Sequence, residues 1–266
     1  MAPEVNQAVE IAHTDGILTA ASLMVSGLAA ADAVERARRL PGLRVGLHLV
    51  LVEGSPTLPP ERLPDLVDDS GRFRTDMAGL ALEIFAHGAV RRQVAAEIEA
   101  QFDAFRATGL ELDHVNAHKH FHLHPTIARL ILAIGRRHGM RGLRVPVEPR
   151  TPLLRAEPQV PPGRAWAVTP WAKLLAHTAR RAGLQTPDAV FGLAWTGAMT
   201  ASRLAGLLQH LPEGRSEIYL HPATRDDFPG HAPGYRYADE LAALISPAAI
   251  SASRHPGIAL GGYADF

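Results

Sequence analysis

Residues 114–125 read HVNAHKHFHLHP and set five of the chain's 14 histidines, His114, His118, His120, His122 and His124, within eleven positions. A random scatter would leave about half of one there. Imidazole is the commonest side-chain ligand for zinc-like ions and the side chain that moves protons near neutral pH. A catalytic metal site adds a carboxylate and keeps one position for water. If the segment stays extended, the spacing of two puts His118, His120 and His122 on one face. Two further histidines end apolar runs, His48 in VGLHLVL and His221 in EIYLHP. The ordinary alternatives are a hydrogen-bonded core role for His48, a strand stop before Pro222 for His221, and a solvated loop for the cluster. Packing alone hardly explains five imidazoles beside a buried strand end. His13, His87, His138, His177, His210, His231 and His255 have no partners in sequence and read as surface or packing residues.

Such side chains converge only if strand ends meet, and the pattern predicts that they do. PEVNQAVEIAHTDG (3–16) reads as a helix opened by Pro3 and stopped at Gly16. ILTAASLMVS (17–26) and LRVGLHLVL (43–51) are apolar runs of the kind found in strands covered on both faces. AADAVERARRL and residues 89–107 read as helices. LELDHVNA is a strand, Pro125 opens the next helix, and LRVPVE (143–148) is a short strand. Residues 149–165 form a Pro/Arg-rich excursion. Helices near 170–182 and 199–211, strands DAVFGLAW and SEIYLHP, a helix YADELAALI and a last strand near GIALGG complete the alternation. Alternating strands and helices imply parallel βαβ units. Seven strands without a GxGxxG turn favour a (β/α) barrel, whose active site lies at the carboxyl ends of the strands. A barrel begins with a strand and this chain begins with a helix, so the pattern predicts that a first strand is missing.

Composition narrows the chemistry. The 266 residues carry zero formal net charge and no cysteine, and 47% are apolar. A single domain, 1–266, accounts for that length. Neutrality argues against a broad nucleic-acid footprint. Without thiolates any metal falls to His, Asp or Glu. No apolar run reaches the ~18 residues of a membrane span and no leader pattern opens the chain, so a soluble, cytoplasmic protein is expected.

LTAASLMVSG, GLRVGLHLVLVEGSP, LDHVNAHKHFHLHP, LRVPVEP and SEIYLHPATR, in that order, resemble the YdjC-like carbohydrate deacetylases. With the closing GGYADF, the likeness points to the hopanoid-biosynthesis-associated (HpnK) branch. The resemblance implies a distorted, TIM-like (β/α) barrel of the polysaccharide-deacetylase type. It implies metal-dependent (Mg or Zn) removal of an N-acetyl group from an amino sugar, here an N-acetylglucosaminyl hopanoid. By the same resemblance His48 and His118 are metal ligands and His120 and His122 are substrate-pocket residues. Arg144, in a segment similar to the Arg-x-Pro of related deacetylases, orients the catalytic carboxylate, and His221 is the general acid. Asn116 stands where some members carry Asp. Members also open with a strand ending in a T-A-D-D-F-G-like motif, just before the part matching APEVNQAVE. One of its aspartates is the third metal ligand and the other the base. Met1 stands directly after that position, so the chain as written is expected to bind metal weakly and to have little activity until an upstream strand is restored. Unpaired edges left by a missing strand would favour a homodimer. Two other readings stay open: an amidohydrolase-type metal hydrolase, whose H-x-H pair normally comes from the first strand, and a non-catalytic His-rich metal- or carbohydrate-binding protein.

Overall fold

Five short parallel strands form in the computed structural model, which describes residues 2–160 and 168–266. β1 (Ala20–Leu23), β2 (Arg44–Leu49) and β3 (Leu112–Ala117) make one sheet in that order, and β4 (Ala189–Phe191) and β5 (Ser216–Ile218) make a second. Residues 141–147 run between the two. Val115 N donates to Gly142 O and Arg144 N to Val115 O, each at 2.9 Å, while Val190 N donates to Val147 O at 2.8 Å. LRVPVE is thus extended but makes only single bridges, at Gly142 and Leu143, because Pro146 has no N–H to continue a ladder. Both sheets are small and open, and among the described residues β1 and β5 do not pair with each other. The closed barrel and the seventh strand of the sequence reading are not seen. GIALGG is irregular, and only residues 20–23 of the run 17–26 are strand.

Seven helices fall close to the predicted runs, and among the described residues three more form where none was predicted. They are α1 (Pro3–Thr14), α2 (Ala30–Arg39), α3 (Met77–Ala86), α4 (Gly88–Ala107), α5 (Pro125–Arg137), α6 (Arg150–Ala156), α7 (Thr169–Arg181), α8 (Ala201–Gln209), α9 (Tyr237–Leu244) and α10 (Pro247–Ser253). α3 lies in the segment between the 43–51 run and the 89–107 helix, where no element was predicted, and is capped by the Asp76 carboxylate on Gly79 N. α6 lies inside the predicted excursion, of which residues 161–165 fall outside the described residues. At α5, His124 accepts from Thr126 N and Pro125 fills the first helical position.

The first sheet has two unlike faces, as the period of two requires. Val45, Leu47, Leu49 and Val115 belong to the main apolar core with Phe102, Phe105 and Ile131 from the helices. The opposite face carries Ser22, Gly46, His48, His114 and Asn116, held in register by the pairings Ser22–Gly46 and His48–Asn116. A second core, around Phe191, Trp195, Leu204 and Leu207, supports β4 and β5. Two buried side chains of α4 fix the loop after β2. Gln101 accepts from Val50 N, and Glu97 accepts from Thr57 N at 2.8 Å and Leu58 N at 3.0 Å.

Candidate functional site

The polar face of the first sheet opens on a cavity of about 1470 Å³. His48, His118, His120, Arg144, Glu217, Tyr219 and His221 all line it, as does Glu53. His48, His118, His120, Tyr219 and His221 sit at or just past the carboxyl end of a parallel strand, as expected for such sheets, while Glu53 follows in the loop after β2, Arg144 lies within the 141–147 link and Glu217 within β5. The His48 and His118 rings meet edge-on with centroids 5.7 Å apart. A second row runs His120, Tyr219, His221, Tyr235, with successive centroids 5.7, 5.6 and 5.3 Å apart.

His122 departs from the expected pocket role. Residues 118–123 do not stay extended but turn, with Lys119 and His120 at φ 51° and 54°, which breaks the alternation that would put three imidazoles on one face. His122 is fully buried behind the cavity wall and its Nε2–H donates to Arg144 O at 2.8 Å. It supports the backbone of Arg144 rather than reaching substrate. His114 and His124 are likewise committed inside the fold, the latter to Ala81 O and Thr126 N.

Arg144 is held by a carboxylate that sequence reasoning missed. Its Nε and a terminal nitrogen donate to Glu217 Oε1 at 2.9 and 2.6 Å, and both side chains are largely buried. Burial pulls the arginine pKa down, but the Glu217 charge and hydrogen bonds more than reverse it. Burial pushes the Glu217 carboxyl up, and Arg144 more than reverses that too. The pair is ionised, with the guanidinium 5.0 Å from the Tyr219 ring centroid. Period two along SEIYLH puts Glu217, Tyr219 and His221 on one face, and that signal was available in the sequence.

Burial keeps these imidazoles neutral, and the Arg144 charge adds to it at His48, His120 and His221. Burial, the neighbouring His118 and Arg144 take His48 down to about 3. Burial, His122 and Arg144 take His120 to about 3. Burial and Arg144 take His221 to about 4, and burial lowers His118. Neutral imidazoles serve as ligands, acceptors and bases, so His221 cannot act as an acid until it has taken up a proton. Glu240 fixes its place by accepting from the His221 backbone N–H.

Glu53 also escaped the sequence reading. It stands 3.8 Å from His118 Nε2 and ion-pairs with Lys119. Glu53, Lys119 and His120 are the only non-glycine residues at positive φ among the described residues, and their adjacency marks local backbone strain of the sort found at functional sites.

The donors fit a divalent ion in kind. His48 Nδ1 donates to Asn116 Oδ1, and Nε2 has no hydrogen-bond partner among the described residues. The buried His221 Nδ1 and His120 Nδ1 are likewise unpartnered. Among the described residues no three His, Asp or Glu side chains lie close enough to make a complete set. No described helix is long and apolar enough to cross a membrane.

Residues 1–254 match the family described as YdjC-like protein. A carbohydrate deacetylase of Geobacillus stearothermophilus is 28% identical over 265 residues, covering 98% of this chain and 92% of that protein. The carbohydrate deacetylase of Homo sapiens is 32% identical over 83% of this chain and 71% of its own length. That of Brevibacillus brevis is 38% identical, but there the alignment spans about half of each protein, 54% and 52%. Among solved structures, a proposed cellobiose-phosphate cleavage protein from Enterococcus faecalis V583 superposes with a TM-score of 0.77 at 26% identity, over 99% of this chain and 94% of that one.

Proposed function

The chain belongs to the YdjC-like family, and from that premise we propose that it is a metal-dependent hydrolase that removes the N-acetyl group from an amino sugar. The observation that carries this reading is the convergence of His48, His118, His120, His221 and the Arg144–Glu217 pair on one cavity at the strand ends. The curated relatives named above are carbohydrate deacetylases, and amide hydrolysis needs what this cavity contains.

His48 and His118 would hold the ion, with Glu53 the nearest carboxylate. Imidazole donors suit zinc better than magnesium. When bound, the ion would polarise the acetyl carbonyl and make water more acidic. The neutral His221 is poised to accept the proton lost by the attacking water and to return it to the departing nitrogen, so base precedes acid in its cycle. Burial, aided by the charge of Arg144, keeps His221 neutral beforehand. His120 lines the cavity beside Tyr219 and would contact the sugar there.

A lipid-linked substrate such as an N-acetylglucosaminyl hopanoid is the finer proposal. It is supported by Val5, Val9, Ile17 and Leu18 in the cavity wall and by exposed Leu154, Trp171 and Leu174 on the neighbouring helices. Cytoplasmic action and association into a homodimer are proposed with it. The amidohydrolase alternative fits less well, since the histidine pair follows the third strand rather than the first. The deciding experiment measures acetate release from an N-acetylglucosaminyl lipid and from a free chito-oligosaccharide, with zinc and with chelator. Zinc-dependent release supports the reading, and no release from either substrate by zinc-loaded protein rejects it.

A further inference from the structure

On the cavity side of the first sheet, four polar side chains outside the proposed chemistry form one unbroken chain of hydrogen bonds. Asp113 is the fixed end. Its carboxylate accepts from His114 Nδ1 at 2.8 Å, Ala264 N at 2.9 Å and Tyr263 N at 3.1 Å. Burial would raise its pKa, yet these donors hold it below the ordinary carboxylate value, so it only accepts. A neutral His114 that gives its Nδ1 proton to Asp113 has a lone pair on Nε2. Ser22 Oγ lies 2.9 Å from that nitrogen and donates to it. The Ser22 oxygen then accepts from Asn116 Nδ2–H at 2.8 Å. That fixes the Asn116 amide with its oxygen toward His48, where it accepts from Nδ1.

We propose that Asp113, His114, Ser22 and Asn116 are positioning residues that hold His48 in its Nδ1–H tautomer, leaving the Nε2 lone pair facing the cavity. Each link has one donor and one acceptor, and the anion at the end sets the direction of all of them. The fold is shaped for this chain. Gly46 sits on β2 between Ser22 and His114, and a Cβ there would come within 2.5 Å of the His114 ring. Tyr263 stacks on the other face of His114, centroids 4.7 Å apart and planes 17° apart. Outer partners of this kind fix the tautomer of metal-binding histidines and raise their basicity, and losing them typically lowers metal affinity about 10–100-fold. The opposite polarity would require a doubly protonated His114 and would put the His48 proton on Nε2.

The affinity consequence rests on the proposed metal role of His48, whereas the tautomer does not. The test is long-range 1H–15N correlation of the metal-free protein at pH 7.5, with His48 assigned by the loss of its signals in His48→Gln. The wild type should show a protonated Nδ1 and a bare Nε2. Ser22→Ala cuts the chain and should give a mixture of tautomers, with zinc affinity, read by chelator competition, reduced about 10–100-fold. Adding Asn116→Asp should restore the Nδ1–H form, because a carboxylate accepts from His48 without help from Ser22. A purely structural role predicts no such rescue. A wild-type His48 protonated on Nε2, or a Ser22→Ala protein with unchanged tautomer, overturns the proposal. Failure of the wild type to bind zinc while the tautomer results hold counts against the metal reading alone.

Discussion

At the residue scale the site turns on imidazoles kept uncharged. Because His221 falls to about 4, the acidic limb of kcat/KM should lie well below the ordinary imidazole value of ~6.5. Replacing His221 by Ala should lower kcat by about 10²–10⁴-fold with KM little changed; stopped assays of acetate release measure both. Glu217→Gln leaves Arg144 buried without its counter-charge and should cost on the order of 3–5 kcal/mol, seen as a lower urea midpoint. A change under about 1 kcal/mol would mean that water already compensates the pair. The types of His48, His118, His120, Arg144 and His221 were legible in the sequence, and the structure gathers them on one cavity. His122 was not legible, since two positive-φ residues redirect the chain between His118 and His122. Nor was Glu53, which lies inside the GLRVGLHLVLVEGSP stretch but past its strand, in a loop that Glu97 and Gln101 hold near His118.

At the element scale, periodicity located most helices and the existence of all five strands. It overstated strand lengths, because apolar runs continue past the last ladder hydrogen bond into the core, as Val50, Leu51 and Val52 do after β2. It read LRVPVE as a strand by composition, although Pro146 removes a ladder donor. α3 was hidden because its short apolar stretch is flanked by charged turns. Gly46 is the element-level feature with the sharpest consequence. Gly46→Ala drives a methyl into the His114 ring, an overpacking of about 1–3 kcal/mol. It should perturb the His114 and Tyr263 side-chain NMR signals before those of remote helices. Glu97→Ala removes the acceptor for two loop N–H groups and should cost roughly 1–3 kcal/mol, with faster hydrogen exchange at Thr57 and Leu58 as the readout.

For the whole molecule, the buried histidines make stability depend on acid. His48, His120 and His122 at about 3 and His221 at about 4 refuse protons that the unfolded chain accepts near 6.5. The folded values are depressed, so this stability is fully present above the unfolded value. It drains as pH falls toward the folded ones, by up to about 1.4 kcal/mol per pH unit for the fully buried His122 and by less for His48, His120 and His221, whose rings are part exposed. Urea midpoints should fall steeply from pH 7 to pH 5, and a flat profile would contradict the burial of these rings. The alternation of strands and helices was readable from the sequence; sheet closure was not, because pairing between distant edges leaves no local pattern. One long-range tie has a practical side. Tyr263 donates its hydroxyl proton to Glu217 at 2.5 Å, while the Tyr263 and Ala264 backbones bind Asp113 and Asp265 pairs with Arg44. Residues 263–266 therefore work as a latch on groups that lie between 46 and 221 positions earlier in the chain. Replacing them with glycine and serine should loosen the cavity long before it unravels the helices.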